Sequence, residues 1–137
     1  PWPVEPVRKR GGRFGGYALD DKGRPTFRWS LPADKLAVRE TIGGDSVGNP
    51  LLKRAVTVDR QPNAAGIEGV VFRAAVADAI EAEADGWWRV AGFWRVRVIG
   101  AGVGPATVVT IDGKKELRFP VKPTAQAPVT FQEELSW

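Results

Sequence analysis

Four groups of residues in this chain carry side chains or loops that chemistry could use, and their spacing decides what each can do. Asp20-Asp21-Lys22-Gly23 gathers carboxylate oxygens of the kind that bind Ca²⁺, but the run is too short for an EF-hand loop and suits a plain turn. Glu133 and Glu134 are neighbours in a strand-like pattern. They therefore point to opposite faces and cannot serve as a paired acid and base. The GGRFGG stretch from Gly11 to Gly16 lacks the G-x-x-x-x-G-K-[ST] spacing and precedes a strand pattern, so no helix N-terminus awaits a phosphate. The fourth group, WWRVAGFWRVRV from Trp87 to Val98, packs three tryptophans and three arginines into one segment.

Absences narrow the chemistry further. The chain has no Cys and no His, which excludes Cys/His zinc sites, thiol nucleophiles, Ser-His-Asp triads and C-x-x-C-H haem attachment. It has no Met, the usual second axial haem ligand. No cofactor is expected in this chain, and an enzyme working through carboxylates or Lys alone has no constellation to rest on.

The elements that must position these residues read as strands. RFGGYAL and PTFRWSL flank DDKGR, where Asp20, Asp21 and Gly23 suit a reversal. In the second arm Phe27, Trp29 and Leu31 alternate with Thr26, Arg28 and Ser30, the period of a half-buried strand. The same period runs through Leu36, Val38 and Ile42. It continues in Leu52, Val56 and Val58, with Arg54 as the charged misfit on that side. Val70, Phe72, Ala74 and Val76 form a further phase. Val109 and Ile111 lead into Asp112-Gly113, then Leu117, Phe119 and Val121 follow. Val129, Phe131, Leu135 and Trp137 close the chain, with Glu133 on their face; an ion pair with Arg54 would relieve its burial. AAVADAIEAEAD is rich in good helix formers but fits a strand with Ile80, Ala82 and Ala84 inward. Short regular strands between Gly and Pro turns predict an all-β antiparallel sandwich, with a partly open barrel as the alternative.

The tryptophan-rich segment then becomes a hairpin. Trp88, Val90, Trp94, Val96 and Val98 share one face, and Trp87, Arg89, Phe93, Arg95 and Arg97 the other. Keeping those faces together requires a loop with an odd number of residues, such as Ala91-Gly92-Phe93. Trp88 and Trp94 go to the core, where losing either costs about 3–5 kcal/mol. Trp87 either lies beneath arginine stems on a solvated face or, with Phe93, offers a platform to a sugar ring. The candidate docking or ligand surface is thus Trp87, Arg89, Phe93, Arg95 and Arg97.

At 137 residues the chain suits one domain. Arg8, Lys9, Arg10 and Arg13 against Glu5 concentrate most of the net charge of +4 in residues 1–13, which read as a Pro-rich basic linker ahead of a sandwich over 14–137. The remaining body is near neutral, so nucleic acid is not an expected partner. No apolar run is long enough for a membrane-spanning helix. The Pro-Trp-Pro opening without an initiator Met reads as a segment cut from a larger polypeptide.

RFGGYALDDKGRPTFRW, LLKRAVTV, VVFRAAVADAIEA, DGWWRVAGFWRVRV, LRFPV and FQEELSW resemble, in order, a β-rich accessory segment of large secreted bacterial proteins. In those proteins it accompanies a sorbosone-dehydrogenase-like β-propeller and a c-type cytochrome domain. The marker is G-Y-x-L-D followed by G-R-P-T-F, here Gly16 to Asp20 and Gly23 to Phe27. The resemblance implies an extracytoplasmic (periplasmic or secreted) location. It also implies neighbouring domains or subunits of a redox assembly as partners, and a non-catalytic docking role. A carbohydrate-binding module is the alternative. The resemblance carries no catalytic residues to transfer.

Overall fold

Turn chemistry sets where the strands reverse. The computed structural model describes residues 11–32, 35–45, 51–60, 69–124 and 127–137, so most of the basic linker segment lies outside the described residues. At the first reversal the Asp20 carboxylate accepts the backbone N–H groups of Lys22 at 2.9 Å and Arg24 at 2.8 Å, while Gly23 takes a left-handed φ of +73°. That closes β1 (Arg13–Leu19) onto β2 (Pro25–Leu31). Asp112 and Gly113, at φ 49° and 79°, form the tight turn between β9 (Thr107–Ile111) and β10 (Lys114–Pro120). The odd-numbered loop is also present. Ala91-Gly92-Phe93 joins β7 (Trp87–Val90) to β8 (Trp94–Ile99), and Val90 pairs with Trp94 across it.

The fold is an all-β sandwich of two antiparallel sheets. β3 (Leu36–Asp45), β4 (Leu51–Arg60), β6 (Ile80–Ala82) and β11 (Val129–Ser136) complete an eight-stranded sheet in the order β1-β2-β3-β4-β11-β8-β7-β6. β5 (Val71–Ala77) joins β10 and β9 in a three-stranded sheet, β5-β10-β9. Strand β11 lies at the centre of the larger sheet, pairing with β4 from Val129↔Val58 to Ser136↔Leu51 and with β8 on its other side.

The core fills the space between the sheets in two adjoining clusters. Leu36, Val56, Val58, Val129 and Phe131 of the larger sheet meet Val121. Ile80, Val90 and Val96 meet Ala75, Leu117 and Phe119 of the smaller sheet. Trp88 and Trp94 pack against the second cluster as partly buried rings. The connection after β8 crosses β11 so closely that a Cβ on Gly100 would lie 2.6 Å from Cβ of Phe131 and 2.9 Å from its Cα.

Three details depart from simple alternation. Between Leu117↔Ala75 and Arg118↔Arg73 the chain of β5 gains one residue. This bulge shifts the buried phase from Ala74 and Val76 to Ala75, leaving Val76 exposed. In β6 only Ile80 is buried. Ala82 and Ala84 are exposed, because the edge strand ends after three residues and passes into a 3₁₀ turn over Ala84–Gly86. Trp137 follows the last strand residue and stands 66% exposed, although its phase is apolar.

Candidate functional site

The outer face of the β7–β8 hairpin holds four of the five residues singled out as a surface. Trp87 pairs with Arg97 and Arg89 with Arg95 across the strands. The guanidinium groups of Arg97 and Arg95 lie 4.7 Å and 5.2 Å from the Trp87 ring centroid. Arg97 also donates from Nε (3.1 Å) and Nη2 (2.6 Å) to Oε2 of Glu134, whose Oε1 accepts from Gln132 Nε2 at 2.6 Å. Arg89 is paired with Glu83. The tryptophan is therefore roofed by cations that are themselves partly engaged, a stabilising cross-strand stack that leaves no bare ring platform. Phe93 does not join this face. It belongs to the loop, and its ring turns to the inner side of the larger sheet.

Among the described residues, that inner side is only half covered. A β-bulge between Phe14 and Tyr17, with Gly16 at φ +92°, inserts one residue into β1. Phe14 and Tyr17, three apart in sequence, therefore both pair on the face that carries Trp29 and Phe27. Their rings form one cluster. Phe14 lies 4.8 Å from Trp29 and 6.4 Å from Phe27, and Tyr17 lies 6.2 Å from Phe27, all tilted at 41–50°. In register, Trp29 is opposite Val38, and Val38 is opposite the buried Val58, so the cluster prolongs the core face beyond the smaller sheet. Phe14 is 53% and Tyr17 64% exposed.

The same face also holds a cleft of about 590 Å³, bounded by Trp94, Phe93 and Trp137 with aliphatic side chains of β3, β4 and β11. At its floor Arg54 and Glu133 are directly opposite across β4 and β11, with Nη2 to Oε2 at 2.7 Å. The ion pair anticipated from the strand phases is thus formed. The Arg54 guanidinium also sits 5.3 Å from the Phe72 ring centroid, while its buried Nε has no acceptor among the described residues. Burial pushes the Glu133 carboxyl above the usual carboxylate range. The Arg54 charge and hydrogen bond pull the other way without overcoming it, and Glu40 adds to the upward push.

Glu116 on the outside of the smaller sheet makes the contrast. Burial also raises its pKa, but hydrogen bonds from Arg118 Nη2 at 2.7 Å and Arg73 Nη1 at 3.1 Å, with their charges, hold it below the usual range. Among the described residues no cluster of three or more Asp or Glu side chains is arranged to hold a metal ion. Asp20 instead spends its oxygens on its own turn and on Arg24. No described helix is long and apolar enough to cross a membrane.

No known family model, curated protein or solved structure matches this chain. The candidate site therefore rests on its geometry. The aromatic cluster of β1 and β2 was not among the residues singled out from the sequence. The signal that points to it is the Gly15-Gly16 pair inside a strand pattern, a mark of a bulge that re-aims a side chain.

Proposed function

We propose that this chain is a non-catalytic β-sandwich module that docks onto a neighbouring domain or subunit through the uncovered inner face of β1 and β2. One observation carries the reading. Phe14, Tyr17 and Trp29 form a contiguous exposed aromatic cluster on the face that elsewhere is core. Aromatic residues are enriched at protein interfaces, and exposed apolar patches on folded domains mark interaction sites. The tilt between these rings suits interdigitation with side chains better than stacking on a flat sugar face. The resemblance of the sequence to accessory segments of secreted redox proteins supports an extracytoplasmic oxidoreductase as the setting.

Hydrogen exchange, compared between the isolated chain and the longer polypeptide or complex that contains it, tests this reading. Added protection confined to β1 and β2 is expected, and it should vanish in a Phe14→Ser/Tyr17→Ser variant. Unchanged exchange in that hairpin, or protection only around Trp87, would overturn it.

A further inference from the structure

The cleft over Arg54 and Glu133 lies on a different part of the molecule from the aromatic cluster of β1 and β2, and its chemistry is different. Its volume of about 590 Å³ falls within the size range of small-molecule sites. Its walls include the rings of Trp94, Phe93 and Trp137, two of them largely exposed. Its polar groups converge at one place, the Arg54–Glu133 pair.

Charge selects the ligand. Arg54 already faces Glu133, and Glu40 is near enough to add a second negative charge to that neighbourhood. An anionic ligand would bring a further negative charge against two carboxylates. A cationic ligand would meet the guanidinium first, because the Arg54 side chain is 29% exposed and that of Glu133 only 2%. A purely apolar ligand would cover the exposed part of the Arg54 guanidinium without offering it an acceptor. An uncharged ligand with oxygen atoms along one edge and C–H groups on its faces meets every requirement.

We propose that this cleft binds a neutral sugar. Its pyranose ring lies against Trp94 and Trp137, and its hydroxyl oxygens accept from Arg54. The planar guanidinium, the exposed member of the pair, suits vicinal hydroxyls, donating to the oxygen of each. The aromatic walls cover the C–H face of the ring. This site is separate from the docking surface, so either can fail without the other.

The test is titration of the chain with methyl β-glucopyranoside, cellobiose, maltose and xylobiose, read by calorimetry and tryptophan emission. Galacturonic acid and glucosamine serve as the charged counterparts. At least one neutral saccharide should bind, with an emission shift. Trp137→Ala removes an exposed ring outside the core and should weaken binding by about tenfold or more. Arg54→Gln should weaken it similarly, while Ile99→Ser, on the outer face, should not change it. Three results would overturn the proposal. One is no neutral saccharide bound at about 10 mM, where even a dissociation constant of ~1 mM would register. The others are binding of charged saccharides alone, and binding indifferent to Trp137→Ala.

Discussion

In the β7–β8 hairpin, Trp88 and Trp94 pack against Val90 and Val96 beneath the smaller sheet, and the outward Trp87 is roofed by two arginines. In the β1–β2 hairpin, Phe14, Tyr17 and Trp29 share a face with the same apolar character, yet nothing described in the chain lies over them. Both hairpins are aromatic-rich and close with tight turns. What separates them is the reach of the partner sheet. Three strands cannot cover eight, and the strands farthest from β11 toward the N-terminal side are left with an apolar face open. An aromatic residue in a strand is therefore not core by its type or its phase. It becomes core only where a second layer arrives.

The contrast is sharpest in stability. Leu117→Ala removes a side chain with no exposed surface from beneath the covered half and should cost about 2–5 kcal/mol in denaturant unfolding. A loss under about 1 kcal/mol would mean that the covered half packs loosely. Arg54→Leu should cost about 3 kcal/mol at neutral pH, since it leaves Glu133 buried without its counter-charge. Because burial already raises the Glu133 pKa, protonation relieves that charge readily. The penalty of Arg54→Leu should therefore shrink as pH falls, and a penalty constant from pH 7 to pH 4 would contradict the assignment.

Glu116→Gln tests the opposite case. The folded-state pKa of Glu116 is lowered, so its contribution to stability is present above the unfolded value near 4.5 and is lost as pH falls through the folded value. After solvent screening of the part-exposed arginines, the variant should lose about 1 kcal/mol at neutral pH. It should approach wild type in acid, as unfolding curves across that range will show. Smallest of all, Phe14→Ser should change stability by no more than about 0.5 kcal/mol. A larger loss would show that the open face is in truth supported by the fold, and the comparison between the hairpins would break.

How much of this was legible beforehand follows from which interactions are local. Asp20-Asp21-Lys22-Gly23 and Asp112-Gly113 announce their turns through residues that make the turns themselves, so the hairpins follow from sequence. Arg54 and Glu133 each break an apolar phase, and two opposite charges buried in strands have reason to meet. Bulges are harder. The extra residue in β5 moved burial from Ala74 to Ala75, and only the pairing with β10 reveals where it sits. The site was least legible. Period two says which residues share a face, so Trp87 and the arginines were grouped correctly. It cannot say which faces lack a covering layer, so Phe14, Tyr17 and Trp29 read as ordinary strand residues. Phe93 was assigned by alternation, but loop residues obey the turn and not the strand period.

The position of β11 has a consequence for how the molecule is made. It is the last of the described strands in sequence, yet it stands between β4 and β8 and, among the described residues, alone joins the two halves of the larger sheet by strand pairing. The hydroxyls of Thr57 and Thr130, 3.1 Å apart, belong to residues separated by 73 positions. During synthesis the meander of β1 to β4 and the hairpin of β7 and β8 can form early, but each waits with a bare edge until β11 leaves the ribosome. Such distant pairing is slow, and until it occurs those two edges are open to other chains. Loss of β11 would not trim the larger sheet at its margin; it would divide it through the middle.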